Sequence, residues 1–149
     1  MAKHLNNLED FLPYQLSIAS NAVSDLIAGE YKSRFGLKIP EWRVMAVLGN
    51  RKWATQRDLV AATRMDKVTV NRAVKALVDR KLLRRSPNNR DGRSHHLELS
   101  ATGLELYGEI MPAARAMEER ILAVLSDTER ATLSALIRRI KNSADELTG

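Results

Sequence analysis

The chain has 149 residues, with 24 Lys/Arg against 18 Asp/Glu for a formal net charge of +6, a length that admits one compact domain with or without helical extensions. It contains no cysteine, which excludes disulfides, thiolate metal sites, cysteine nucleophiles and thiol redox sensing. No apolar run approaches membrane-spanning length and the start, Met1-Ala2-Lys3-His4-Leu5-Asn6, does not open a secretory leader, so a cytoplasmic protein with no membrane partner is expected.

The first element predicted is a helix from Phe11 to Phe35. Leu12, Leu16, Ala19, Val23, Leu26 and Ile27 recur at three- and four-residue steps. Pro13 suits its first turn, where a missing N–H is no loss, and Gly36 ends it. Leu5, Leu8, Phe11 and Leu12 lie ahead of that turn or within it. Such an apolar entry has little use on a monomer and is expected to pack on another subunit; a small flap within the chain is the other reading. Gly36 to Pro40 form a connection. A second helix, Glu41 to Gly49, buries some combination of Trp42, Met45, Ala46 and Leu48, with Trp42 as a core anchor. Trp53 is expected in a very short strand that completes a small sheet.

Thr55-Gln56-Arg57-Asp58 opens a short helix. The Thr55 hydroxyl accepts from a free backbone N–H, and Asp58 places negative charge in the first turn. Leu59, Ala62 and Met65 are its apolar stripe, and it ends near Ala62 or Thr63. Asp66 repeats the capping signal for a longer helix whose buried side is Val70, Val74, Leu77 and Val78. Its other side carries Lys67, Val68, Thr69, Asn71, Arg72 and Lys75. A short capped helix, a tight turn and a longer basic helix form a helix-turn-helix pattern. Arg72 can donate two parallel bonds to guanine, Asn71 can pair with adenine, and the methyls of Thr69 or Val68 can meet thymine. Lys67 and Lys75 suit phosphates, as point charges without a fixed fork. By itself this face reads equally well as merely solvated.

Two apolar strands follow, one begun by Leu82 and Leu83, the other carrying Leu97 and Leu99. Between them run Arg84-Arg85-Ser86-Pro87-Asn88-Asn89-Arg90-Asp91-Gly92-Arg93-Ser94, with Asp91-Gly92 as the expected tip. Four arginines on one hairpin repel one another unless a polyanion faces them. Arg93 suits a narrow minor groove, with Arg90 beside it and Asp91 orienting either. The other reading is a solvated hairpin in which Asp91 only pairs with a neighbouring arginine. The charge supports the first reading. Thr55 to His96 hold eleven Lys/Arg against four Asp/Glu, so this stretch is +7 and the remainder −1.

Ser100 then caps a long helix from Ala101 to Leu125. Its stripe is Leu104, Tyr107, Ile110, Met111, Ala114, Met117, Ile121, Val124 and Leu125, and Pro112 is expected to interrupt and kink it. Ser126 and Glu129 form a capping box for a last helix carrying Leu133, Leu136, Ile137, Ile140, Ala144 and Leu147. These stripes can serve an intrachain core, a dimer seam or a small-molecule pocket. A monomer has too little body to cover helices this long, which favours a homodimer.

Catalytic chemistry finds no foothold. His4, His95 and His96 are the only histidines, and strand neighbours such as His95 and His96 point to opposite faces, a poor metal pair. A satisfied or solvent-facing pair is the first reading, and a phosphate contact by His95 or His96 is the other. There is no catalytic pair of acids, phosphate-cradling glycine loop or nucleophile elbow, so no enzyme activity, cofactor or metal is expected.

The runs Ile39 to Leu48, Met65 to Leu77, Leu82-Leu83-Arg84-Arg85, Asp91-Gly92-Arg93-Ser94 and Leu97-Glu98-Leu99-Ser100-Ala101-Thr102-Gly103 together resemble the MarR family of bacterial transcription regulators. Lys81 departs from the pattern, standing where the family has a glycine at the turn into the wing. The resemblance implies a mainly α protein with a small β-wing. Its parts would be an N-terminal dimerisation region (1–36), a winged helix-turn-helix (37–100) and C-terminal dimerisation helices (101–149). It also implies a homodimeric regulator, a repressor by expectation, that binds double-stranded DNA at a near-palindromic operator. A small anionic or phenolic effector that changes DNA affinity belongs to the same implication, with constitutive repression as the alternative. Outside the resemblance stand a winged helix used for protein interaction and a non-specific architectural DNA binder.

Overall fold

The computed structural model describes residues 7–88 and 91–149, with the backbone alone for Asn88 and for 91–94. The chain forms two compact units, Met1–Pro112 and Ala113–Gly149. Among the described residues the order of elements is a 3-10 turn (Leu8–Asp10), α1 (Leu12–Phe35), α2 (Ile39–Asn50), α3 (Gln56–Thr63), α4 (Lys67–Asp79), β1 (Leu83–Asn88), β2 (Asp91–Leu99), α5 (Ala101–Leu122) and α6 (Asp127–Thr148). No helix among them is long and apolar enough to cross a membrane.

The first unit is built around α2, which packs against α3, α4 and β2. Val44, Met45, Leu59, Val70, Val74 and Leu77 are fully buried there, together with Leu37 from the α1–α2 connection. Burying such a side chain contributes about 1.5–3 kcal/mol each, so the unit closes a core of its own. Gly36 leaves α1 in the left-handed region at φ 65°, a conformation that glycine takes without the clash of a Cβ. Trp42 is half-buried rather than enclosed, set edge-on to Tyr31 at 5.4 Å and stacked on Tyr107 at 6.1 Å. Glu41 is buried and accepts from the Lys38 backbone N–H at 3.1 Å, closing the start of α2.

β1 and β2 pair antiparallel with Leu83 opposite Leu99 and Arg85 opposite Leu97, and the register shifts between Pro87 and Asn88. Asn88 pairs with Asp91, so Asp91 and Gly92 open β2 and are not its tip. The expected third strand is a single bridge at Ala54, one residue beyond Trp53. Ala54 and Leu97 exchange both backbone hydrogen bonds, at 3.0 and 2.8 Å.

Helix boundaries lie close to those expected. Phe11 is the N-cap of α1 and not its first residue. α5 ends at Leu122, short of Leu125, and it continues through Pro112 rather than being interrupted there. Several stripe residues are not core. Ala62 and Leu104 are exposed, and so is Val124 beyond the end of α5. Ala73 and Ala113 are buried instead, because the buried arc of a helix also takes in small residues that periodicity in large ones does not mark. The apolar stripe of α1 is largely exposed, with Leu12 at 72% and Leu26 at 54%. In the second unit α6 has no buried residue at all.

Candidate nucleic-acid interface

The helix-turn-helix is fixed at each junction by a local device. The Thr55 hydroxyl accepts from the Asp58 backbone N–H at 3.1 Å, while the Asp58 carboxylate accepts from the Thr55 N–H at 2.9 Å. That backbone bond, ahead of the Arg51 and Arg57 charges, holds the Asp58 carboxyl below its ordinary value against an opposing effect of burial. Arg64 ends α3 in the left-handed region at φ 61°, its N–H bonded to the Val60 carbonyl. Asp66 then caps α4, accepting from both the backbone N–H and the hydroxyl of Thr69 at 2.8 Å. These bonds, the backbone one first, lower the Asp66 carboxyl in turn.

This turn aims α4 with one side inward and the other outward. Val70, Ala73, Val74 and Leu77 are buried. Lys67, Asn71, Arg72 and Lys75 are exposed, and Val68 stands 57% exposed beside them. The structure therefore gathers these five expected residues on one open surface. Thr69 is half-buried and its hydroxyl is engaged by Asp66, which leaves its methyl for any further contact. Lys75 lies 3.8 Å from Asp79 one turn on, an exposed pair of little energetic weight.

The wing is anchored from below by a turn in which Lys81 adopts φ 63°. Here the side chain that replaces glycine is accommodated rather than avoided: the turn keeps the left-handed conformation. Neighbouring bonds hold it. The Leu82 N–H donates to the Leu77 carbonyl at 2.9 Å, and the Ser100 hydroxyl donates to the Lys81 carbonyl at 2.7 Å. Ser100 also accepts from the Gly103 N–H and so caps α5. A Cβ on Gly103 would run into the carbonyl oxygen of Leu82. This is why the exit from the wing needs a serine followed three residues later by glycine.

On β1, Arg84 is bonded to Glu98 across the sheet at 2.6 Å. The mutual repulsion read from four wing arginines is thereby reduced for one of them. Arg93 and Asp91 have their backbone in β2, and their side chains are outside what is described. Arg90, like His4, lies outside the described residues. His95 is exposed, whereas His96 stacks on Trp53 with ring centroids 3.7 Å apart and planes 10° apart. No group of three or more metal-binding side chains occurs among the described residues.

Two residues to which sequence reasoning gave no role here, Gln56 and Arg80, belong to this surface or its support, together with Trp53, expected there only as part of a short strand. Gln56, the first residue of α3, donates from Nε2 to Asn71 Oδ1 at 2.6 Å. Arg80, the C-cap of α4, donates to the carbonyls of Phe35 and Gly36 at 3.2 and 3.0 Å, closing the end of α1. Trp53, 47% exposed, forms one wall of the wing base with His96. Of Gln56 and Arg80 only Gln56 carried a signal, its place immediately after the Thr55 cap at the start of α3. The Arg80 contact spans 44 residues and no local pattern marks it.

A family model described as MarR family matches residues 35–94. The HTH-type transcriptional repressor NicR of Pseudomonas putida is 32% identical over 96 residues, which are 64% of this chain and 60% of that one. The chain spans 60 to 62% of the length of the curated relatives it matches. Among solved structures, a probable transcriptional regulator from Pseudomonas aeruginosa is 32% identical over 90% of this chain and 99% of that one, at a TM-score of 0.80. A MarR family transcriptional regulator from Silicibacter pomeroyi is 26% identical over 93% and 98%, at a TM-score of 0.78.

Proposed function

Because the chain belongs to the MarR family of transcription regulators, we propose that two copies of it bind one duplex at a near-palindromic operator and repress transcription there. The observation that carries this reading is the two-sidedness of α4. Its inner face is fully buried, and its outer face presents Lys67, Val68, Asn71, Arg72 and Lys75 together. Arg72 reads a base, Asn71 and Val68 complete the base contacts, and Lys67 and Lys75 hold phosphates. From the sequence pattern of the wing, Arg90 and Arg93 are assigned to the adjacent minor groove, with Asp91 as the residue that would orient them. A two-fold pair of such helices would meet successive major-groove faces roughly 34–36 Å apart.

The exposed apolar faces of α1 and α6 support the homodimer. Leu12, Leu16 and Leu26 on the first, and Leu133, Leu136, Ile137 and Ile140 on the second, are large side chains left open to water, and faces of this extent mark interaction surfaces. A small-molecule effector fits the same arrangement if it binds the DNA-competent and incompetent dimer spacings with different affinity.

Fluorescence anisotropy tests the reading, with the protein's own upstream intergenic DNA against a scrambled duplex across a salt series. The expected preference is roughly a thousandfold at moderate salt. Equal binding with steep salt dependence would mean an architectural protein, and no binding to either duplex would mean a protein-interaction module. Arg72→Ala is expected to weaken specific binding by about 1–3 kcal/mol and to loosen preference at one base pair.

A further inference from the structure

We propose that Gln56 is a specificity-determining residue that acts through Asn71: its hydrogen bond fixes which end of the Asn71 amide faces a base. The inference rests on the DNA-reading role of α4 proposed above.

An asparagine amide has an accepting oxygen at one end and a donating NH2 at the other. When free to turn, it offers both, and this is what allows bidentate pairing with the N6 and N7 of adenine. In this chain the choice is constrained. Gln56 is the first residue of α3, at the end away from the Arg64–Asp66 turn, Asn71 lies fifteen residues later on the open face of α4, and Gln56 Nε2 donates to Asn71 Oδ1 at 2.6 Å. The accepting end of Asn71 is thus held toward α3, and the end left for a partner is the donating Nδ2. A donor presented to the major groove favours an acceptor edge, which guanine offers at O6 and N7 and thymine at O4, whereas adenine offers N7 only beside its N6 amine donor. Such a donor disfavours the N4 amine of cytosine. The helix that does not enter the groove would therefore set part of the code read by the helix that does. Asn71 is exposed and Gln56 half-buried, and neither belongs to the buried core, so the pair can be altered without opening the fold.

The test is selection of bound duplexes from a pool randomised across the half-site, sequenced for the full-length parent and three variants. Asn71→Ala identifies the position that Asn71 reads, by loss of preference there. The parent is expected to prefer guanine or thymine at that position. Gln56→Glu replaces the donor by an acceptor, so the Asn71 amide turns, presents Oδ1, and moves the preference to cytosine or adenine by about fivefold or more, the worth of one hydrogen bond. The added negative charge lowers affinity for all sequences, and because a carboxylate can itself accept from the cytosine amine, the uncharged Gln56→Met is the variant that separates a freed Asn71 amide from direct reading by the new side chain. Gln56→Met keeps the length without the hydrogen bond and is expected to spread the preference, with adenine gaining. It also serves as the second variant should Gln56→Glu bind too weakly to select. Parental base choice retained in Gln56→Glu or Gln56→Met overturns the inference, as does a parental preference for cytosine. A parent that enriches no sequence overturns the DNA-reading function itself, a different and separable result.

Discussion

The α3–α4 reader and α6 carry the same kind of signal in sequence, an apolar stripe at helical spacing behind a capping residue, yet they end differently. In the reader, Leu59, Val70, Val74 and Leu77 are fully buried by α2 and the strands of the same chain. On α6, the equivalent stripe remains open, with Ile140 52% exposed and no residue buried. An amphipathic pattern states that a helix has a face to cover. It does not state whether the cover comes from the same chain or from a second one. The reader is complete within one copy, and α6 is not.

The sharpest way to break this contrast is at the junction that completes the reader. Gly103→Ala drives a methyl into the Leu82 carbonyl, which is backbone and has little room to give. A loss of about 3 kcal/mol or more is expected in urea unfolding, at the upper end of what overpacking costs. The next test acts on the other side of the contrast. Ile137→Asp combined with Ile140→Asp should convert a dimer to a monomer in analytical ultracentrifugation while the near-native helical signal is kept. Each burial forfeited is worth about 2 kcal/mol of association. A variant that remains dimeric would place the seam elsewhere.

Smaller effects sharpen the reader's account of itself. Lys81→Gly removes a Cβ from a left-handed backbone position, and a gain of about 1 kcal/mol in thermal stability is expected. No gain would mean that the greater conformational freedom of glycine in the unfolded chain offsets the strain relieved. The smallest effect is the acid response of the two caps. Asp58 and Asp66 have carboxyls held below their ordinary value of 3.8 in the folded chain. Their contribution to stability is fully present above that value and is lost as pH falls through the lower folded values. Thr55→Ala, which removes one side of the first cap, should flatten the acid limb of a stability profile below the ordinary carboxylate value of 3.8 relative to the parent.

Much of the site could be read early because its parts are local. Thr55, Asp66 and Ser126 announce helix starts through bonds to residues three positions away, and the structure has all of those bonds. The open face of α4 follows from a period of 3.6 residues. Turn residues mark a bend without fixing its register: Asp91-Gly92, the expected tip of the wing, belongs to β2, with Asp91 opposite Asn88.

The sequence alone settled what depends on short separations: where helices begin, which face of α4 is polar, where positive charge is concentrated, and the winged helix-turn-helix that those features compose. Tertiary structure decided what depends on distant partners. It set the bond of Gln56 to Asn71, the bonding of Arg80 to the end of α1 and the stacking of His96 on Trp53. It also explains the need for glycine at 103. The physical reason is the same in each case. Caps and periodicities are governed by backbone geometry within a few residues, whereas a contact across 15 to 45 positions exists only after packing has brought its two ends together.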